Sequence, residues 1–217
     1  MIVHRVIRLS ILTLLLLSIP SFSQGEEPKK EKDTKKVQSL FDGKELGDWK
    51  PTVFGGEGDV YIENGAVVMA EGVTLSGIHY TKDVPKINYE LRFEARRMTG
   101  TDFFAGVTFP VNDTFCSFIP GGWGGAVVGL SSIDGKDASE NETTKYIGFK
   151  DEKWFKFRIR VTKPKIQVWI DGKLVIDQKI EGHKISTRAE VSLSKPLGFS
   201  AWQSTAELRK IELELLK

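Results

Sequence analysis

The sequence predicts an all-β domain, an antiparallel sandwich or barrel of roughly 10–13 short strands. Three observations carry this. Turn signals built from Gly, Asn, Asp and Pro recur about every 8–15 residues from Asp42 onward. Nearly every run between them alternates apolar and polar side chains with a period of two. Outside the C-terminal segment, no stretch reads convincingly as a helix.

Taken in order, Val60-Tyr61-Ile62 and Ala66-Val67-Val68-Met69 flank Glu63-Asn64-Gly65, and the Asn-Gly corner defines a hairpin. Ile87, Tyr89, Leu91, Phe93 and Ala95 alternate with Asn88, Glu90, Arg92, Glu94 and Arg96. One face of that strand is core and the other is charged, so Glu90, Glu94 and the similarly placed Glu207 read as solvent-face charges. Residues 103–109 and 126–130 are more continuously apolar, as strands covered on both faces must be. Phe155, Phe157, Ile159 and Val161 alternate with Lys156, Arg158 and Arg160. Residues 166–170 and 173–176 flank Asp171-Gly172 as a second hairpin. Residues 188–193 and 197–202 read as further strands separated by Lys195-Pro196. Residues 206–216 fit a helix face through Leu208, Ile211 and Leu215, or a strand that slips at Arg209-Lys210; strand neighbours favour the bulged strand. No internal repeat is found.

The N-terminus sets the expected compartment. Arg5 and Arg8 precede an apolar run over residues 9–19, broken by Pro20, and Ser21-Phe22-Ser23 places small residues where a signal peptidase reads. Residues 1–23 are therefore expected to be a secretory signal, too short for a permanent membrane span. The protein is expected to be exported, periplasmic or extracellular. No Cys follows the run, so a lipid anchor is not expected. Residues 24–36 (QGEEPKKEKDTKK) carry no apolar side chain and read as a solvated tether. Residues 37–217 make one domain whose core draws on 13 Phe, 5 Trp and 4 Tyr. Removing the signal takes two Arg from 31 basic residues and nothing from 29 acidic ones, leaving 29 of each sign. A neutral mature chain gives no footprint for a nucleic-acid partner. The single Cys116 excludes an internal disulfide and reads as a small buried hydrophobe.

Leu40-Phe41-Asp42-Gly43-Lys44-Glu45-Leu46-Gly47-Asp48-Trp49 resembles the opening of the DUF1080 family, also called the 3-keto-disaccharide hydrolase domain. Val60 to Gly65, Tyr89 to Glu94, and Trp154-Phe155-Lys156 through Trp169-Ile170-Asp171-Gly172-Lys173 are similar to that family's later motifs, in its order. The resemblance spans about residues 38–216. It implies a concanavalin-like jelly-roll sandwich of two antiparallel sheets, export, and action on oxidised glycosides such as 3-keto-disaccharides. The family's middle motif carries an Arg, followed by a strand with acidic and amide residues. Here Gly100 to Phe109 and Phe115 to Ile119 lack all of them, so fold transfers better than catalysis.

The residues themselves offer several sites. Gly121-Gly122-Trp123-Gly124-Gly125 strips side chains from around one indole, leaving a stacking face for a sugar ring. A Trp folded beneath its glycines is the bland alternative. Trp202, between Ser200 and Gln203-Ser204, is a second platform or a core residue. The loop 134–144 is acid-rich: Asp134 and Asp137 offer oxygens that suit Ca²⁺, and Asn141 would hydrogen-bond sugar hydroxyls, against the plain reading of a solvated turn. A glycosidase needs two carboxyls, ~5–5.5 Å apart for retention or ~6.5–9.5 Å for inversion. Asp102, Glu140 and Glu142 are the candidates, with Glu57 and Asp59 behind them. His79 and His183, about a hundred residues apart, exclude a histidine-rich metal site. No G-x-S-x-G elbow is present. Three functions stay open: a glycoside-cleaving enzyme, a non-catalytic carbohydrate-binding module, and an adhesive domain for protein partners.

Overall fold

The computed structural model describes residues 37–217; the expected signal and tether lie outside the described residues. The strands are β1 (Val37–Ser39), β2 (Trp49–Pro51), β3 (Val60–Glu63), β4 (Ala66–Met69), β5 (Leu75–Tyr80), β6 (Tyr89–Gly100), β7 (Gly106–Val111), β8 (Thr114–Gly121), β9 (Val127–Ser131), β10 (Lys145–Tyr146), β11 (Phe155–Val161), β12 (Lys165–Ile170), β13 (Lys173–Lys179), β14 (Gly198–Trp202) and β15 (Ser204–Leu215). They form two antiparallel sheets. The first runs β13-β12-β11-β6-β15-β4-β3, with β1 also paired to β15, and the second runs β10-β9-β8-β7-β14-β5-β2. Crossovers at β11-β6-β15-β4 in the first sheet and at β7-β14-β5-β2 in the second give the jelly-roll sandwich that the sequence implies. The strands outnumber the expected count because β1, β2 and β10 hold two or three residues each, too few to show a period.

Local chemistry explains the corners. Asn64-Gly65 and Asp171-Gly172 all sit at positive φ, as a two-residue hairpin turn demands. In β15 the register shifts between Arg209 and Glu212 and Lys210 takes φ 52°, so the C-terminal segment is the bulged strand. Residues 188–193 are not a strand. Ala189–Ser194 form a 3₁₀ turn that buries Val191 and Ser194, while Leu193 stays 56% exposed. A three-residue period puts 191 and 194 on one side, where strand alternation would have buried 193.

The core lies between the sheets. Phe93 stacks on Phe157 with centroids 5.0 Å apart, and Phe199 of the second sheet meets Phe93 edge-on at 4.8 Å. Trp49 lies 5.6 Å from Phe199 and donates its indole N–H to the Leu40 carbonyl at 2.8 Å. Each such ring contributes roughly 1.5–3 kcal/mol by leaving water, so this contact fixes the sheet-to-sheet geometry.

The outer faces differ. That of the first sheet is charged, as expected, but its acids are not solvated. Glu90 is fully buried beneath Arg92 and Arg160 (2.7 Å to the latter), Glu94 pairs with Arg209 at 2.8 Å, and Glu207 with Arg96 at 2.7 Å. Arg209 and Arg158 in turn lie 3.9 and 3.8 Å from the ring centroids of Trp154 and Trp169. Paired cations cover these acids, which is the condition for burying charge.

The second sheet's outer face is built from small residues. His79, Gly198, Thr108, Ser117 and Ser131 pair in one row across five strands, and Gly77, Ser200 and Gly106 in the next. A β-carbon at Gly106 would fall 2.9 Å from the Phe103 ring, and one at Gly198 2.5 Å from the Ser194 carbonyl oxygen. The Phe103 loop and the 189–194 turn therefore lie directly on the sheet. Among the described residues no helix is long and apolar enough to cross a membrane.

Cys116 is fully buried, and desolvation pushes its thiol up to about 12. Native protein at pH 8 is expected to resist a disulfide-exchange reagent and to react stoichiometrically once unfolded in guanidinium. Rapid labelling of the native state would contradict this burial.

Candidate functional site

The covering segments leave a cleft of about 280 Å³ on the second sheet's outer face. Its floor is Ser117, Ile119, Ser131, Leu75 and Trp202; Asp102, Phe103 and Trp123 form one wall, and Arg188, Glu190 and Val191 the other. Strand pairing accounts for the floor. Trp202 faces Leu75, and Ser117 faces both Thr108 and Ser131, so their side chains emerge on the same side. The volume is near the lower end of the ~300–1,000 Å³ usual for small-molecule sites and suits a ligand of one or two rings.

The Trp123 wall is held by Asp102. Its Oδ2 accepts from the Gly124 N–H at 3.1 Å and its Oδ1 from the Phe103 N–H at 2.7 Å. Gly121 to Gly125 turn tightly, with Trp123 itself at φ 50° and its side chain 45% exposed. A bulky residue in that conformation needs local support, and the Asp102 contact supplies it. Arg97, which sequence reasoning did not single out, is buried behind this wall. It donates to the Asp102 carbonyl at 3.3 Å and the Phe149 carbonyl at 3.1 Å, and pairs with Asp151 at 2.6 Å.

The opposite wall is electrostatic. Arg188 donates to Glu190 at 2.6 Å and to Asp137 at 3.0 Å. This guanidinium holds the Glu190 carboxyl below its ordinary range. The cleft thus offers two indoles, a carboxylate locked by backbone N–H groups, and an arginine–carboxylate pair.

Three residues singled out from the sequence, Asp102, Trp123 and Trp202, meet in this cleft. The acid-rich loop does not join them. Asn141 is spent internally: its amide donates to the Leu130, Lys136 and Asp137 carbonyls at 2.7, 3.1 and 2.6 Å, and its Oδ1 accepts from Thr143. It pins the loop and has no amide hydrogen left for a sugar. Glu142 accepts from Gln178 at 2.5 Å and lies 3.5 Å from His183. Glu140 and Asp59 are exposed outside the cleft, and half-buried Glu57, also outside it, accepts from the Gly55 N–H at 2.7 Å. No two of the five carboxyls weighed as a catalytic pair line the cleft together.

Asp134 and Asp137 turn to different partners. Asp134 binds the His183 ring at 2.7 Å and the Lys184 N–H at 2.7 Å; Asp137 accepts from Ser139 and Arg188. Among the described residues no group of three His, Cys, Asp or Glu side chains is placed to hold a metal ion. The residues that sequence reasoning missed, Arg188, Glu190 and Val191, were hidden by reading 188–193 as a strand.

This sandwich is shared with proteins of solved structure. A protein from Parabacteroides distasonis ATCC 8503 described as a glycosyl hydrolase matches at TM-score 0.53 and 13% identity, over 83% of this chain and 94% of that one. The Crh5 transglycosylase matches at TM-score 0.57 and 13% identity, over 84% of each chain. The Emp46p carbohydrate recognition domain matches at 0.52 and 14% identity, over 80% of this chain and 89% of that one. At such identities the likeness establishes the fold, the jelly roll of glycosyl hydrolases and lectins. Residues 36–214 match the family model of the 3-keto-alpha-glucoside-1,2-lyase-like domain, and the chain belongs to that family. A comparison with curated protein sequences finds no match.

The His183 contact gives the acid-rich loop a pH dependence. Its hydrogen bond to Asp134 raises its pKa above the ordinary 6.5. The contact's contribution is complete below the ordinary histidine pKa and is lost as pH rises through the raised value. NMR titration of the His183 ring should show a midpoint above 6.5 in the wild type, falling back toward it in Asp134→Asn. A wild-type midpoint at or below the ordinary value would contradict the pairing.

Proposed function

We propose that this cleft receives a glycoside, with a sugar ring against Trp123 and Trp202 and its hydroxyls shared between Asp102 and the Arg188–Glu190 pair. One observation carries the reading: two indoles converge with fixed carboxylates on a floor of serines in a single recess. Aromatic faces take the apolar face of a pyranose, while carboxylates and guanidinium take its hydroxyls. The family description supplies the ligand class, α-glucosides carrying a ketone at C3. Export would bring such a protein to glycans outside the cytoplasm, and the N-terminal segment supports that placement.

A second reading, cleavage, is favoured by the family match. Two-carboxylate hydrolysis fits poorly: both Asp102 oxygens are tied to backbone N–H groups, and Arg188 holds Glu190 ionised, away from the protonated acid that hydrolysis requires. Elimination asks for less. A C3 ketone acidifies the hydrogen at C2. A carboxylate that takes this proton lets the C1–oxygen bond break as C1=C2 forms, while a protonating water or side chain completes the departing alcohol. Glu190 is the base this scheme would use, with Arg188 beside it to stabilise negative charge on the ketone oxygen.

Titration calorimetry of the full chain with 3-ketosucrose and sucrose, alongside ultraviolet detection of the enone product, separates these readings. Trp123→Ala is expected to weaken binding at least about tenfold, the loss of one stacking face. Glu190→Gln is expected to abolish enone formation with binding retained if elimination occurs, and to change affinity alone if the protein only binds. Wild-type affinity unchanged in both Trp123→Ala and Trp202→Ala would remove the cleft from consideration.

A further inference from the structure

We infer that the cleft sorts sugars by charge, admitting neutral rings and turning away acidic ones, and that Asp137, outside its lining, enforces the choice by occupying Arg188. This rests on the glycoside reading of the cleft and narrows its ligand class to uncharged rings.

The balance of charge carries the argument. Among the described residues, the charged side chains that line the cleft are Asp102 and Glu190 against Arg188. A sugar carboxylate entering it would need that guanidinium. Arg188 is already engaged at both tips of its fork: Nη2 donates to Glu190 at 2.6 Å and Nη1 to Asp137 at 3.0 Å. One positive charge thus faces two carboxylates. On the opposite wall the Asp102 carboxylate accepts from backbone N–H groups and pairs with no cationic side chain among the described residues. Behind that wall Arg97 is balanced by Asp151, and Lys195 lies over the Phe115 ring, outside the lining.

Asp137 is fixed from three sides. Its Oδ1 accepts from the Ser139 N–H at 2.9 Å and the Ser139 hydroxyl at 2.6 Å, which leaves Oδ2 to Arg188. Its own carbonyl accepts from Asn141 at 2.6 Å. The next residue, Ala138, is seated on the sheet, since a β-carbon at Gly129 would fall 2.7 Å from its carbonyl oxygen. The Asp137 side chain is 18% exposed and that of Arg188 46%. The acid is therefore the anchored partner, and the guanidinium is the group it places. Specificity of this kind works by denying the wrong ligand a partner. A neutral ring needs hydrogen bonds alone, and the remaining N–H groups of Arg188, the carboxylates and the floor serines supply them. An acidic ring must bring a further negative charge into a recess whose cation is already occupied.

The test uses three probes of one shape, methyl α-glucoside, methyl α-glucuronamide and methyl α-glucuronide, each with and without a ketone at C3. They are titrated against the full chain by ligand-observed NMR. At low salt the glucuronide is expected to bind at least about tenfold more weakly than its amide, and the gap should narrow as salt rises, as screening of a charge effect requires. Asp137→Asn keeps the oxygen that Ser139 binds and removes the charge. It is expected to raise the acid-to-amide affinity ratio at least about tenfold, and adding Arg188→Gln should lower the ratio again. A merely structural role for Asp137 would move all three probes together and leave the ratio where it was, which would overturn the assignment to Asp137. If acid and amide bind the wild type alike, or if their gap ignores salt, charge sorting is wrong while the cleft reading stands, and neither result depends on a variant folding. If no probe binds in either oxidation state, the inference falls together with the cleft.

Discussion

The cleft side of this molecule depends on one steric constraint: the central strands of the second sheet present almost no side-chain volume on their outer face. Gly198, Thr108, Ser117 and Ser131 in one row, and Gly77, Ser200 and Gly106 in the next, leave a shallow bed. On that bed the Phe103 ring rests against Gly106 and the 189–194 turn settles with Val191 buried. Larger residues in these rows would lift both covering segments. The cleft is what remains between them, and its two walls are the two segments the bed admits.

The first sheet solves a different problem. Its outer face carries Glu90, Glu94 and Glu207 under a lattice of arginines stacked on Trp154 and Trp169. Those indoles are engaged by guanidinium groups, whereas Trp123 is 45% exposed and sits beside a recess. Position and chemistry together assign the indoles their roles: the first sheet's serve packing, and the second sheet's are placed for a ligand.

Much of the fold was legible because the signals were local. Asn64-Gly65 and Asp171-Gly172 dictate positive φ, and the alternation of residues 89–96 dictates which face is buried. The slip at Arg209-Lys210 was visible because Leu208 and Ile211 fall out of phase by one residue. Failures came where two periods agree over a short window. Ala189, Val191 and Leu193 alternate like a strand, yet tertiary contact with the small-residue bed selects a 3₁₀ turn, and with it went Arg188 and Glu190. Glu90 shows the limit in another way: alternation gave its face correctly, but its depth comes from Arg158 and Arg160 of β11, far off in sequence, which close over it together with Arg92 of its own strand.

The candidate site was half legible for the same reason. Trp123 was conspicuous through its glycines, Trp202 through its place at a strand end among polar neighbours, and Asp102 only as one of several candidate carboxyls. The acid-rich loop misled, because polar residues that cluster in sequence also cap and pin their own loop, as Asn141 does with three carbonyls.

The most direct measurement is a crystal structure of the full chain soaked with a C3-oxidised gluco-oligosaccharide. The account predicts sugar density over the second sheet's outer face, with one ring against Trp123 and Trp202 between Asp102 and Arg188. Density on the first sheet near Trp169, with the Trp123 recess empty, would contradict it.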